Sequence, residues 1–341
     1  MLFSHRERIK RLFQGNHIDR LPCFSGMGHV TLSGLKENGL KFCELHNDPV
    51  KMAKAAASSY KLFDYECAVV PFDVCFEAEI LGCKINFYNQ NYSEDILYPT
   101  VEKRILEGEG TLVIPKHLEN KGRMPVIKEA IERLREDLGS ELAIGAYILG
   151  PFTLAGQIME REELLKMILK RPQKAHYLLE TLTDFLIEIA HALSECGLDY
   201  MTIREMGATS DILSPHLFKV FIVPNCKRLF ANIPLPKVLH ICGNTNPIVE
   251  HMMECGADAL SFDQKNDIGR TRGRLGDEVI ILGNLDPYNL LALGSKEQVK
   301  ESVKYCIDYG INGIWPGDDI WPEAPDENIR AMIESTREFG A

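Results

Sequence analysis

The sequence predicts an α/β fold, a single (β/α)8 barrel spanning residues 1–341. Eight short apolar runs recur along the chain, most of them aliphatic or β-branched at successive positions, as strands buried on both faces require. Longer stretches of helical periodicity separate these runs, and alternating strands and helices build a parallel sheet. No repeat, low-complexity segment or composition break divides the 341 residues, a length that α/β barrels reach as one unit. A doubly wound open sheet is the alternative, and eight strand candidates favour the barrel over it.

The opening MLFSHRERIKRLFQG is amphipathic and charged, which predicts an N-terminal helical extension rather than a signal peptide. Strand candidates follow at 21–24, 67–72, 142–149, 200–204, 238–241, 259–262, 279–282 and 311–315. Between them, 173–196 carries Leu178, Leu179, Leu182, Phe185, Leu186 and Ile189 at helical spacing. A shorter helix is expected over 246–255, with Pro247 in its first turn. The least regular stretch, 84–125, reads either as a hairpin insertion serving as a lid near the barrel mouth or as an ordinary surface insertion.

Charge narrows the function classes. With 38 Lys and Arg against 49 Asp and Glu, and no basic face or tail, nothing marks a nucleic-acid partner. No apolar run approaches the 18 residues of a membrane span. The ten cysteines form no dense framework, so a reducing cytoplasm is expected, where free thiols can bind metal.

In an α/β barrel the chemistry gathers at the C-terminal ends of the strands. Reading just past each candidate strand gives Asp73, Glu205, His240 with Cys242, Asp263, Asn284 with Asp286, and Asp318 with Asp319. Any one of these carboxylates alone reads more readily as a helix N-cap. The sharpest pair is His240-Ile241-Cys242. Residues two apart on a strand face the same side, and imidazole with thiolate suits zinc. A lone pair of this kind is more often core, but its place at a strand end, before the polar turn Gly243-Asn244-Thr245, favours a site. His251 and Cys255 read as an ordinary packed helix, and Cys67, Cys75, Cys83, Cys196 and Cys306 as small buried hydrophobes. GRTRGRLGDE does not follow a strand as a dinucleotide loop would; Arg270, Arg272 and Arg274 are expected on a solvated helix and turn.

Taken in order, RERIKRLFQGNHIDRLP, VPFDVCFEAEILGC, GPFTLAGQIME, DILSPHLF, LHICGNTNPI, ILGNLDP and WPGDDIWPEAPDENIRAMIE resemble the uroporphyrinogen decarboxylase superfamily. The likeness is to its corrinoid-linked branch above all, the methylcobalamin:coenzyme M methyltransferases. It covers essentially the whole chain and implies one barrel with its site at the mouth. It also implies a zinc site made from HxC and a later cysteine in a segment like PGCDI. His240 and Cys242 match the first two ligands, but Asp318 stands at the third position, in Pro316-Gly317-Asp318-Asp319-Ile320. A carboxylate there is a harder ligand than a thiolate.

The decarboxylase branch carries an arginine-bearing segment near its first strand to grip propionates. This chain has Phe24-Ser25-Gly26-Met27-Gly28-His29 there, without arginine, although Asp73 falls where the decarboxylase aspartate is expected. The resemblance thus implies a zinc-dependent methyltransferase moving a methyl group between a corrinoid and a small thiol such as coenzyme M. The corrinoid would be methylcobalamin or a group on a separate corrinoid-carrying protein. Asp73 and Glu205 are the candidate catalytic carboxylates; Asn284, Glu77 and Asp263 are the candidate substrate-binding residues. Three alternatives remain: methyl transfer from a methyl ether or methylamine to the corrinoid, uroporphyrinogen decarboxylation, and a non-catalytic partner of a corrinoid protein.

Overall fold

The computed structural model describes residues 2–89, 96–106 and 110–341. Among the described residues nine strands follow in chain order: β1 (Cys67–Val70), β2 (Lys84–Asn86), β3 (Thr100–Lys103), β4 (Ala143–Leu149), β5 (Tyr200–Arg204), β6 (Lys237–Ile241), β7 (Ala259–Phe262), β8 (Ile280–Leu285) and β9 (Gly313–Pro316). Seven of them form one parallel sheet in the order β1-β4-β5-β6-β7-β8-β9. Every residue of β1, β4, β5, β7 and β9 is buried, as the unbroken apolar runs require of strands covered on both faces.

The eighth candidate, 21–24, is not a full strand. It makes one parallel bridge, between Cys23 and Ile314. Ile314 N donates to Pro22 O (2.9 Å), Phe24 N donates to Ile314 O (3.1 Å), and Glu66 N donates to Cys23 O (3.3 Å). The segment therefore lies between β9 and the start of β1 and closes the curled sheet into a barrel. Pro22 has no N–H to extend the ladder, which is why the pairing stops so short. Inside, Phe24 packs edge-on against Trp315 and Tyr200, with centroids 4.9 and 5.7 Å away. A Cβ on Gly26 would collide with Thr202 and Trp315, so the chain can pass through this core only as glycine.

The N-terminal helix His5–Phe13, capped by the Ser4 side chain, covers the bottom of the barrel. Arg6 donates to Asp199 (2.9 Å), just ahead of β5, and Arg8 donates to Glu66 (2.6 Å), just ahead of β1. The C-terminal strand ends are left as the open end.

The helix expected over 173–196 is Pro172–Ser194. The one expected over 246–255 is shorter, Val249–Glu254, and Pro247 lies in the turn before it rather than in its first turn. Arg272 is not simply solvated: it donates to the carbonyls of Gly310, Gly276 and Val279 and so fastens the turn ahead of β8. Cys67, Cys75, Cys83, Cys196 and Cys306 are all buried. β2 and β3 pair antiparallel, so the irregular stretch does contain a hairpin, and Ile96, Tyr98 and Pro99 from it reach over the barrel mouth. Residues 90–95 and 107–109 of that stretch lie outside the described residues. No described helix is long and apolar enough to cross a membrane.

Candidate active site at the barrel mouth

The sheet register builds the site. Arg204 pairs with His240, and His240 with Ser261, so β5, β6 and β7 bring three polar side chains to one level. The His240 ring is wholly buried. Its Nδ1 lies 2.9 Å from Ser261 Oγ, which fixes the ring plane, and its Nε2 has no partner. Burial, together with the nearby Arg204 charge, lowers the His240 pKa to about 3, so the imidazole is neutral and has a lone pair to give.

Cys242 follows two residues on, just past β6, and Asp318 follows β9 across the barrel mouth. One ligand atom from each of His240, Cys242 and Asp318 lies within 4.8 Å of the others. Burial, with Asp318 close by, pushes the Cys242 thiol up to about 12, a proton that a divalent cation would displace. An orphaned buried imidazole nitrogen beside a thiol and a carboxylate is a donor set that suits zinc with a position left open.

Arg204 is the residue that reading past the strands missed. It is fully buried, lies over the Tyr147 ring (5.0 Å), and donates to Asp318 (2.7 Å) and to both oxygens of Asp319 (2.7 and 3.2 Å). The alternation Tyr200, Thr202, Arg204 along β5 was the available signal, since it puts the arginine on the inward face.

Glu205, one residue later, points the other way. Its carboxylate accepts from Thr153 N (2.7 Å), Thr153 Oγ1 (2.6 Å) and Phe152 N (3.1 Å), at the first turn of the helix Pro151–Ile158. Burial raises its pKa to about 7 despite these bonds. It caps a helix and does not line the cavity that holds Asp318.

That cavity, of about 640 Å³, is lined by Asp73, Asp263, Asp318, Asp319, Arg204 and a wall of aromatic and apolar residues. Asp73 is gripped by Arg123 through both oxygens (2.5 and 2.9 Å) and approached by His46 Nδ1 (3.1 Å). Despite burial, this pairing holds its carboxyl well below the usual range. Asp263 accepts from Lys265 N (2.8 Å) and from Gly243 N, so it also shapes the turn behind Cys242.

Two candidate substrate-binding residues sit elsewhere. Asn284 lies within β8, not past it, because that strand runs on to Leu285. It opens on a separate groove with Asn289, Gln298 and Tyr305, and its amide donates to the carbonyls of Asp263 (2.9 Å) and Asn266 (2.8 Å). Glu77 is buried beneath the mouth, accepts from Leu149 N (2.7 Å), and is raised to about 8 by burial.

Residues 4–339 match the family model described as Uroporphyrinogen decarboxylase (URO-D). The chain belongs to the uroporphyrinogen decarboxylase family. Among curated members it is 30% identical to a methylcobamide:CoM methyltransferase of Methanosarcina barkeri, over 99% of each chain. It is 29% identical to a methylated-thiol--coenzyme M methyltransferase of Methanosarcina mazei, over 95% of this chain and 86% of that one. A solved methyltransferase from Methanosarcina mazei superposes with a TM-score of 0.93 at 28% identity, covering 99% of both chains. That superposition agrees with the barrel assignment.

For a family that includes decarboxylases, the cavity lining here is informative. It holds five carboxylates and one arginine, and that arginine is already engaged by two of them. A substrate with many carboxylates would meet no free cation among the described lining residues.

Proposed function

We propose that this protein is a zinc-dependent methyltransferase that carries a methyl group from a corrinoid to the sulfur of a small thiol. The observation that supports it most is the His240, Cys242 and Asp318 cluster, with its unpartnered His240 Nε2, at the floor of the barrel mouth. The activities named for its family relatives point the same way. Zinc held by these three residues would lower the pKa of a coordinated thiol toward neutrality.

The remaining roles belong to the protein. Ser261 orients the His240 ring, and Arg204 steadies Asp318 while Asp319 shares its charge. Asp73 and Glu205 act as positioning residues, the first by anchoring Arg123 at the cavity wall and the second by fixing the start of a helix. Tyr98, Tyr288 and Trp321, each partly exposed on the cavity lining, offer an apolar landing for a flat macrocycle, free or on a corrinoid-carrying protein. In the reaction a sulfur–carbon bond forms, the cobalt–carbon pair stays on cobalt as Co(I), and the thiol proton passes to solvent.

The reverse reading, demethylation of a methyl ether or amine, draws support from Asp318, whose harder oxygen leaves a metal more Lewis acidic. One assay separates them: methylcobalamin with 2-mercaptoethanol, following loss of the methyl–cobalt absorbance and gain of the methyl thioether by mass spectrometry. Wild-type protein should form the thioether. Cys242→Ser should lose most bound zinc and most of the rate while keeping its fold and the stability of zinc-free wild type, because a core of this size does not fold around one ion. A variant that keeps both metal and rate would make Cys242 an ordinary strand-end residue.

A further inference from the structure

Five carboxylates line the mouth cavity: Asp73, Asp263, Asp318, Asp319 and Glu323. Arg204 is the one cation among the described lining residues, and it is spent on Asp318 and Asp319; its Nε is buried out of reach of a solute. Arg123 stands behind Asp73 and is engaged by Asp73 and Glu79. Asp263 and Glu323 form no ion pair among the described residues. The stretches outside them, 90–95 and 107–109, contain neither lysine nor arginine that could reverse the balance. A metal on His240, Cys242 and Asp318 would neutralise its own ligands and leave the charges of Asp263 and Glu323 in place. The lining opposite is aromatic, with Tyr98, Tyr147 and Trp321 on it. Asp318, which lines this cavity, offers a ligand atom within 4.8 Å of those of Cys242 and the buried His240, so a group reacting at that cluster would come through this acidic, aromatic funnel.

Resting on the reading above, we infer that the thiol this site accepts carries no anionic group: its tail is neutral or cationic, unlike the sulfonate of 2-mercaptoethanesulfonate, which is coenzyme M itself. A sulfonate two carbons from a sulfur held at that cluster would lie among carboxylates, with no unengaged cation among the described lining residues to balance its charge. In a partly desolvated cleft that repulsion is felt strongly. An ammonium on the same tether would instead find carboxylates and aromatic faces, the two features that hold organic cations.

Three thiols of one length test this: 2-mercaptoethanesulfonate, 2-mercaptoethanol and 2-aminoethanethiol, each assayed with methylcobalamin and zinc-loaded protein. Their S-methyl thioethers, which cannot react, are titrated against the same protein by calorimetry, so that differences in thiol pKa do not enter. The expected order is sulfonate weakest, by roughly tenfold or more in both kcat/KM and Kd, a gap that narrows as salt is raised. Glu323→Lys, an exposed rim change that leaves the fold alone, should bring the sulfonate closer to the neutral compound by several-fold. Sulfonate binding and reacting as well as or better than the neutral thiol would overturn the inference and leave the methyltransferase intact. Failure of all three thiols to react and of all three thioethers to bind would overturn the thiol reading itself, and the inference with it.

Discussion

Asp318 is where this chain departs from the cysteine that its family resemblance leads one to expect. The carboxylate is held by Arg204 at 2.7 Å, an arrangement in which one oxygen answers the guanidinium and the other remains for a metal. Asp318→Cys should tighten zinc binding by roughly tenfold or more, because thiolate is the softer ligand. Competitive chelator titration reads this directly. A thiol methyltransferase should keep or raise its rate, since a second thiolate on the metal makes a bound sulfur more nucleophilic; an enzyme polarising a methyl ether should slow. Unchanged affinity would mean that Asp318 never touches the metal. The His240, Cys242 and Asp318 cluster was legible because the first two lie two apart at one strand end and the third stands where the resembling family has its third ligand. Arg204 was not legible by looking one residue past each strand. It is the last inward residue of β5, and parity rather than proximity to the strand end decides which side chain enters the barrel.

At the level of elements, the same parity explains Glu205. It follows Arg204 and so faces the helix Pro151–Ile158, where two backbone amides claim it. Asn284 is displaced for a different reason: β8 extends to Leu285, beyond its unbroken aliphatic run, so a residue expected past the strand lies within it. Apart from the C-terminal end of β8, which runs three residues past its candidate, the strands with continuous apolar runs were readable to within two residues; the segment at 21–24 looked like one of them but has a proline where a ladder donor is needed.

The bottom of the barrel offers a test of how the N-terminal helix is held. Glu66 is buried and accepts from Arg8 and Arg20 (2.6 Å each), with His5 at 3.2 Å. Although burial opposes it, His5, Arg20 and Arg8 lower its pKa from 4.5 to about 2. A lowered carboxylate stabilises the fold above its unfolded value, so this contribution is present above pH 4.5 and is lost as pH falls toward 2. Glu66→Gln should cost about 1.5–3 kcal/mol at pH 7, since it removes the carboxylate shared by buried Arg8 and half-buried Arg20 while Arg8 keeps Asp19. It should also flatten the loss of stability between pH 4.5 and 2, as measured by urea unfolding at several pH values. A variant with wild-type stability at neutral pH would show that the helix is held by packing alone.

For the whole molecule, the net charge of −11 argued against a nucleic-acid footprint but could not say where the negative charge gathers. The fold answers that by bringing Asp73, Asp263 and the stretch with Asp318, Asp319 and Glu323, three distant parts of the sequence, around one mouth. Such clustering depends on barrel closure, which no local pattern encodes. The aromatic rim was equally hidden, because Tyr98, Tyr288 and Trp321 stand on three separate connections and meet only at the open end. The barrel, by contrast, was legible from the alternation of buried strands and helices before any likeness was considered.

The claim that unites these scales is that one zinc ion on His240, Cys242 and Asp318 makes this barrel a thiol methyltransferase. The most direct measurement is methyl transfer from methylcobalamin to 2-mercaptoethanol by protein stripped with a strong chelator and then titrated with zinc. The rate should vanish on stripping and return linearly, reaching its plateau at one zinc per chain, with the fold retained throughout by circular dichroism and the unfolding temperature raised only by the linkage to zinc binding. Zinc-free protein that turns over at the full rate, or zinc-loaded protein that forms no methyl thioether, would contradict it.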